Sequence, residues 1–377
     1  MAQDKNKTIP NVPPLRFPGF TDEWKKITLG EIGETMIGLT YSPKDVVENG
    51  GTIVFRSSNI QNGMIDYSDL VRVTKPIKER IITKEKDILI CARNGSQRLI
   101  GKNTLLRESD AGNTFGAFMM VYRSDDNDII HPLLSTKQYI SQVAENLGAR
   151  INQITTSDLN SFEFFLPLES EEKRKIGQLF AIINERIATQ NKIIDNYLSF
   201  LKGLTKTLTH KGEPNTRISD SLECHTSTLQ EGGLNESGKY PVYGASGIAG
   251  YLDEYKCNED AILVIKDGSG AGTVSYATGE YSVIGTLNYL TAKSRYSLKY
   301  LYFCLMCFNF EPFKTGMAIP HIYFRDYGQV KIYCPSIQEQ EHIAKALTTI
   351  ENKINIEKQL LKSLYMEKQY LLNKMFI

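Results

Sequence analysis

This 377-residue chain has almost no net charge, no long apolar run, few cysteines and no recognisable catalytic motif. Lys and Arg number 44 against 43 Asp and Glu, a net charge of +1. Any nucleic-acid binding must therefore come from local basic faces and not from a global positive field. The longest apolar run, YLYFCLMCF near Tyr300, is far too short to cross a bilayer, and the first residues lack an apolar signal core, so the reading is cytoplasmic, with no membrane partner. Six cysteines in a reducing compartment argue for buried thiols and against a disulfide framework. Cys304 and Cys307 form a C-x-x-C, but they sit among aromatic and aliphatic residues with no second ligand pair nearby. Core packing is expected there, and no metal site. H-E-x-x-H, G-x-S-x-G and paired metal-binding carboxylates are absent. An adenine methyltransferase would need an Asn- or Asp-Pro-Pro-aromatic loop to grip a flipped base, and NVPPL at Asn11 matches it only superficially. These absences agree with a recognition module.

The composition is otherwise that of a folded protein, 41% hydrophobic and 23% charged, long enough for two or three domains. Its informative feature is an internal repeat. GARINQITTSDLNSFEFFLP, ending at Pro167, lines up without a gap on GMAIPHIYFRDYGQVKIYCP, ending at Pro335, and sets Asp158 on Asp326 and Gln153 on His321. Upstream, KDILICARNGS resembles EDAILVIKDGSG: an acidic residue, an apolar strand-like run, a basic residue and a Gly-Ser turn. The order is globular half, long helix, globular half, long helix, with boundaries at 1–168, 169–209, 210–336 and 337–377. The fold class is α+β with an internal pseudo-two-fold duplication.

The glycine-rich stretch VIKDGSGAGTV, from Val264, raises the question of a phosphate cradle. Such a cradle opens a helix whose N-terminal amides hold the anion, whereas TVSYAT after Gly272 has the β-branched and aromatic residues of a strand. The matching stretch ARNGSQRLIGK misses the P-loop spacing, and Asn103 stands where Ser or Thr should bind magnesium. Two readings remain open for both loops: a glycine hairpin between strands, or loops whose amides and basic side chains face a nucleic-acid backbone.

From Glu171 to Leu208 there is no proline and one sustained heptad pattern. Its seam runs Ile176, Phe180, Ile183, Ile187, Gln190, Ile194, Tyr197, Leu201, Leu204 and Leu208. The second helix repeats it with Ile343, Leu347, Ile350, Ile354, Glu357, Leu361, Leu364, Lys368, Leu371 and Met375. Both seams carry a polar residue at the same repeat position, Gln190 and Glu357, the type that fixes register at a cost in pairing strength. Because the second globular half starts where the first helix ends, the second helix runs back and the pair is antiparallel. Helices approaching forty residues hold the halves apart by about 50 to 60 Å. A dimer stalk without a metrical role is the alternative, though a stalk needs only one head. Leu179, Ile193, Leu198, Leu360, Tyr365 and Leu372 widen the apolar stripe beyond what two helices need, which suits burial against helices of another subunit.

Residues 93 to 107 carry Arg93, Arg98, Lys102 and Arg107 with no acid between the first and last of them, interleaved with Asn94, Ser96, Gln97 and Asn103. These are the groups that address phosphates and base edges, and a solvated loop looks similar. Arg150, Asn152 and Gln153 join them from the repeat, and Arg56, Ser57 and Asn59 from FRSSNIQNG. The second half offers Tyr243, Ser246, Lys266, Ser269, His321, Tyr323 and Arg325. The two loop sets differ in composition, so two readers would read different sequences. For His321 a hydrogen-bonding contact is expected in preference to catalysis.

FPGFTDEWKKITLGEI, YPVYGASGIAGYLDEY, the helix starts after Pro167 and Pro335, and the pair EEKRKIGQLF and IQEQEHIAKAL together resemble the specificity subunit of a Type I restriction-modification system over nearly the whole chain. The one departure is SEEKRKI, where that family usually has Glu-Gln. The resemblance implies two α/β target-recognition domains, each reading one half of a split double-stranded DNA site. It implies that the helices act as ruler and docking surface for two methyltransferase subunits, with two restriction/translocase subunits joining outside. S-adenosylmethionine, ATP and Mg would sit on those partners, none on this chain. The chain itself would be non-catalytic within an adenine-specific methyltransferase and ATP-dependent endonuclease. A DNA enzyme with an unrecognised site and a coiled-coil scaffold are the competing classes.

Overall fold

ILIC at Ile88–Cys91 and AILVI at Ala261–Ile265 are buried at every position, the pattern of a central strand covered on both faces. In the computed structural model, which describes residues 11–147, 152–316 and 318–377, each of these strands is the heart of its own unit. One unit holds the described residues up to Lys192 together with Gln359–Ile377, and the other holds Ile193–Lys358.

In the first unit a four-stranded sheet runs Glu34–Ile37, Met119–Arg123, Ile88–Cys91, Asn103–Leu105, all neighbours antiparallel. Strand alternation sends successive side chains to opposite faces. Ile88 and Ile90 pack with Ile129, Leu133 and Tyr139 from the helices Asn127–Leu133 and Lys137–Leu147. Leu89 and Cys91 face a second sheet through Ile53, Phe55 and Phe115. In that sheet Thr114–Phe115 runs parallel to Thr52–Phe55.

The second unit repeats this plan. Its sheet runs Leu222–Thr226, Leu287–Ala292, Ala261–Ile265, Val274–Ala277, the same sequential order of strands as in the first. Ile262 and Val264 pack on Tyr300, Leu301 and Phe303 of the helix Leu298–Met306, while Ala261, Leu263 and Ile265 face Val242, Tyr281 and Val283. Tyr240–Gly244 pairs in parallel with Ser282–Val283, as its counterpart does. Cys304 belongs to this core with a thiol that burial pushes upward, so it packs as a small hydrophobe. Among the described residues no helix is long and apolar enough to cross a membrane.

The long helices are Ser170–Thr209 and Ile337–Met375, and each contributes to both units. In the first unit Ile176, Phe180, Ile183 and Ile187, from the start of one helix, share a core with Leu364, Leu372 and Met375 from the end of the other. In the second, Leu201 from the end of the first helix shares a core with Ile343, Leu347 and Ile354 from the start of the second. Start meets end in both, so the pairing is antiparallel. Ile194 is buried, and Ile350, Leu361 and Leu371 are half-buried against these cores, so the expected seam is the inward one. Gln190 and Glu357 are buried within it, and Lys353 reaches the Glu357 carboxylate at 2.6 Å. The flanking stripe needs one correction: Leu372 is core, whereas Leu198, Leu360 and Tyr365 are exposed, joined by Ile182, Phe200 and Met366.

Two contacts set the first helix on its unit. Gly177 lies so close to Asp128 that a Cβ there would meet its backbone at 3.1 Å. Glu172, fully buried, accepts two hydrogen bonds from Arg16 at 2.6 and 2.7 Å, a bidentate pair. Arg16→Ala leaves that carboxylate buried without its cation. A loss of about 3 kcal/mol is expected, the low end of the range for broken buried pairs because the guanidinium keeps an edge in water. Urea unfolding of the variant checks it, and a midpoint equal to that of the parent chain would refute it.

Candidate nucleic-acid interface

Each central strand hands its chain to a hairpin. In the first unit the turn after Cys91 closes with Gly101 N–H donating to the Cys91 carbonyl at 2.9 Å, and in the second with Gly272 N–H donating to Ile265 at 2.8 Å. Both glycines have positive φ, +81° and +91°, and a Cβ would strike Tyr139 Oη at 3.0 Å or Phe310 Cβ at 2.7 Å. Only glycine fits such a corner. Neither turn opens a phosphate-holding helix: after Gly272 the chain enters the strand Val274–Ala277, antiparallel to Ala261–Ile265. The stretch that looked like a nucleotide loop is a hairpin.

A second segment locks onto each hairpin in the same way. Ile154 N–H donates to the Ala92 carbonyl and Ile322 N–H to the Lys266 carbonyl, both at 2.9 Å. Asn94 N–H reaches the Asn152 carbonyl at 3.4 Å, and Gly268 N–H reaches Pro320 at 2.9 Å. Arg93 thereby bridges Gln153, and Asp267 bridges His321. The expected alignment of Gln153 with His321 is thus a structural equivalence.

In the first unit these segments line a cleft of about 1160 Å³ with Arg56, Ser57, Arg93, Asn94, Phe118 and Asn152 on its walls, and no acidic residue is among its described lining residues. Asn94 joins the two loops: its amide donates to Ser57 Oγ at 3.1 Å and its carbonyl accepts from Ser96 N–H at 3.0 Å. Asn152 donates to the Gly95 carbonyl at 3.0 Å. Arg56 is tied to Asp69 at 2.7 Å. Arg93 is exposed, its guanidinium 5.1 Å above the ring of Phe118, itself 59% exposed. Phe118 was not anticipated; the signal for it was an aromatic residue beside a glycine turn, in FGAF.

Four of the expected contacts lie away from this cleft. Asn59 is only 1% exposed, and its amide donates to the carbonyls of Asp66 and Asp69 at 3.1 and 2.8 Å, so it braces the loop and does not reach outward. Gln97, Arg98 and Lys102 leave the Arg93 cleft. They line a separate cleft of about 860 Å³ with His131, Tyr139 and Lys368. There burial, with the charge of Lys368 added, pushes His131 down to about 3. Arg150 lies outside the described residues.

In the second unit Lys266 Nζ and His321 Nδ1 both bind the Asp267 carboxylate, the latter at 2.8 Å. Burial alone would raise that acid, and the hydrogen bonds from His321 and Lys266 outweigh it, holding it below its ordinary value. Ser269 is exposed in the same hairpin. Tyr323 is exposed at the start of the helix Phe324–Tyr327, with the Arg325 guanidinium 5.0 Å above its ring. Ser246 is exposed at the turn after the strand Tyr240–Gly244, in which Tyr243 packs edge-on against Tyr281. Asp267, in KDGSG, gives no sequence signal for such an interface, because a lone carboxylate repels phosphates.

Comparison with known proteins places this arrangement. The model of the Type I restriction modification DNA specificity domain matches residues 21–196 and 217–366. The EcoprrI specificity subunit of Escherichia coli is 24% identical over 372 residues, 89% of each chain. A Haemophilus influenzae protein described as a putative type I specificity subunit is 27% identical over 120 residues, 31% of each chain. The fold is that of the crystal structure of a Type-I restriction-modification S subunit from M. genitalium, with a TM-score of 0.67 at 18% identity, covering 97% of this chain and 99% of that one. With two copies of the domain matched over most of its length, the chain belongs to the type I restriction-modification DNA specificity family.

Proposed function

We propose that this chain is the DNA-recognition subunit of a type I restriction-modification complex. Each half reads one part of a bipartite, gapped site in double-stranded DNA, and the antiparallel helices set the gap. The exposed apolar residues of the long helices, Ile182, Leu198, Phe200, Leu360, Tyr365 and Met366, are docking points for two methyltransferase subunits, with two restriction/translocase subunits joining outside them. The chain contributes no catalytic group. S-adenosylmethionine, ATP and Mg belong to the partners, which supply adenine methylation and ATP-dependent cleavage.

One observation carries this reading: a single backbone frame is built twice, with different side chains on it. A scaffold has no use for paired frames of unlike chemistry, whereas a reader of two unlike half-sites requires them. Sequencing the methylome of cells that express this chain with its modification partners tests it. A motif in two fixed parts separated by unspecified bases is expected; a continuous motif would overturn the proposal.

A further inference from the structure

We infer that the two readers seek opposite hydrogen-bonding edges of DNA: Arg93 donates to the acceptor edge of a guanine, and the Asp267–His321 pair accepts from the exocyclic amino group of a cytosine or an adenine. The inference rests on the DNA-reading role proposed above and assigns the residues and the base chemistry to it.

Arg93 and Asp267 occupy one position of the repeated frame. Each follows the residue whose carbonyl accepts from the second segment, Ala92 from Ile154 and Lys266 from Ile322. Each bridges the equivalent residue of that segment, Gln153 or His321. The position therefore faces the same way relative to its own sheet in both units while carrying side chains of opposite charge.

The chemistry of each is one-sided. A guanidinium has donors only, and guanine alone shows two acceptors, N7 and O6, on its major-groove edge. The Phe118 ring beneath Arg93 fixes the plane of that fork. Among the described lining residues no acid diverts it, in contrast to Arg56 on Asp69. An ionised carboxylate is acceptor-only and keeps free lone pairs after accepting one hydrogen bond at each oxygen. Those two bonds come from Lys266 and His321. An imidazole donating from Nδ1 to Asp267 leaves Nε2 as an acceptor in the neutral ring. Acceptors of this kind match the amino groups of cytosine N4 and adenine N6. Lys266 offsets the carboxylate charge, so phosphates do not repel the loop.

The test maps methylated sites in cells expressing the partner subunits with the parent chain, Arg93→Gln, Asp267→Asn or His321→Gln. Arg93→Gln is expected to lower the preference for one guanine, in one half of the motif, by roughly tenfold or more. Asp267→Asn is expected to relax one cytosine or adenine in the other half and leave the first unchanged. The base that relaxes tells the two amino-bearing bases apart. Even loss of methylation across all sequences, relaxation of a base other than guanine with Arg93→Gln, or changes by both variants in the same half would overturn the inference. Should Asp267→Asn abolish methylation, His321→Gln, which installs the residue found at Gln153, decides: a change at one amino-bearing base supports it and a uniform loss overturns it. A parent motif without two parts would instead defeat the DNA-reading proposal itself.

Discussion

One extra heptad in both long helices moves the two halves of the methylated motif apart by about three base pairs. Seven helical residues add about 10 Å at 1.5 Å each, and B-DNA rises about 3.4 Å per pair. The insertion must be made in both helices at matching positions, for instance after Lys192 and after Lys358, where the two units divide, because the seams Ile176 to Leu201 and Ile343 to Leu371 bury each other in antiparallel order. A whole heptad keeps the apolar residues on the inward face, which a shorter insertion would rotate out. Methylome sequencing reads the result directly. A gap of unchanged length would mean that the helices do not set it.

Phe180→Ala is expected to destabilise the isolated chain by about 3–5 kcal/mol, the cost of an aromatic cavity in a core. Phe180 has no solvent exposure, and its ring lies 5.6 Å from that of Phe376, which in turn meets Trp24 edge-on at 6.2 Å. One ring thus joins the first long helix to the last residues of the second and to the first unit's core. Phe200→Ala on the same helix should change stability by no more than about 0.5 kcal/mol, since Phe200 is 56% exposed. Urea titration of the two variants side by side separates the inward seam from the outward stripe. Equal losses would show that the seam has been assigned to the wrong face.

The seam was legible from sequence because heptad periodicity is local: Ile176, Phe180, Ile183 and Ile187 announce a shared face by spacing alone. The duplication was legible because the repeated frame is tied to a short motif, the segment around Gln153 or His321; the Gly-Ser turns are one residue out of step, since the frame sets Arg93 on Asp267 and not on Lys266. The partition of the basic loop was not. Arg93 and Arg98 are five residues apart, yet the 3-10 turn Gln97–Leu99 carries Arg98 into a different cleft. Nor could composition distinguish Asn94, which ties two loops together, from a base-reading amide, or Arg56, held by Asp69, from an available cation. Such roles depend on residues brought together by the fold from well outside any local window. Leu372 fails for the same reason: its spacing marks it as flanking, and the first unit's core draws it in.

The frame that carries Arg93 and Asp267 is made of main-chain amides and carbonyls, such as Ile154 to Ala92 and Ile322 to Lys266, closed by glycine corners. The Arg93 guanidinium projects from it over Phe118, whereas the Asp267 carboxylate adds a side-chain tie to His321 across the same frame. On the proposed reading, substitutions at these positions change what a half recognises while the main-chain frame that carries them stays in place, so a new specificity needs no new fold.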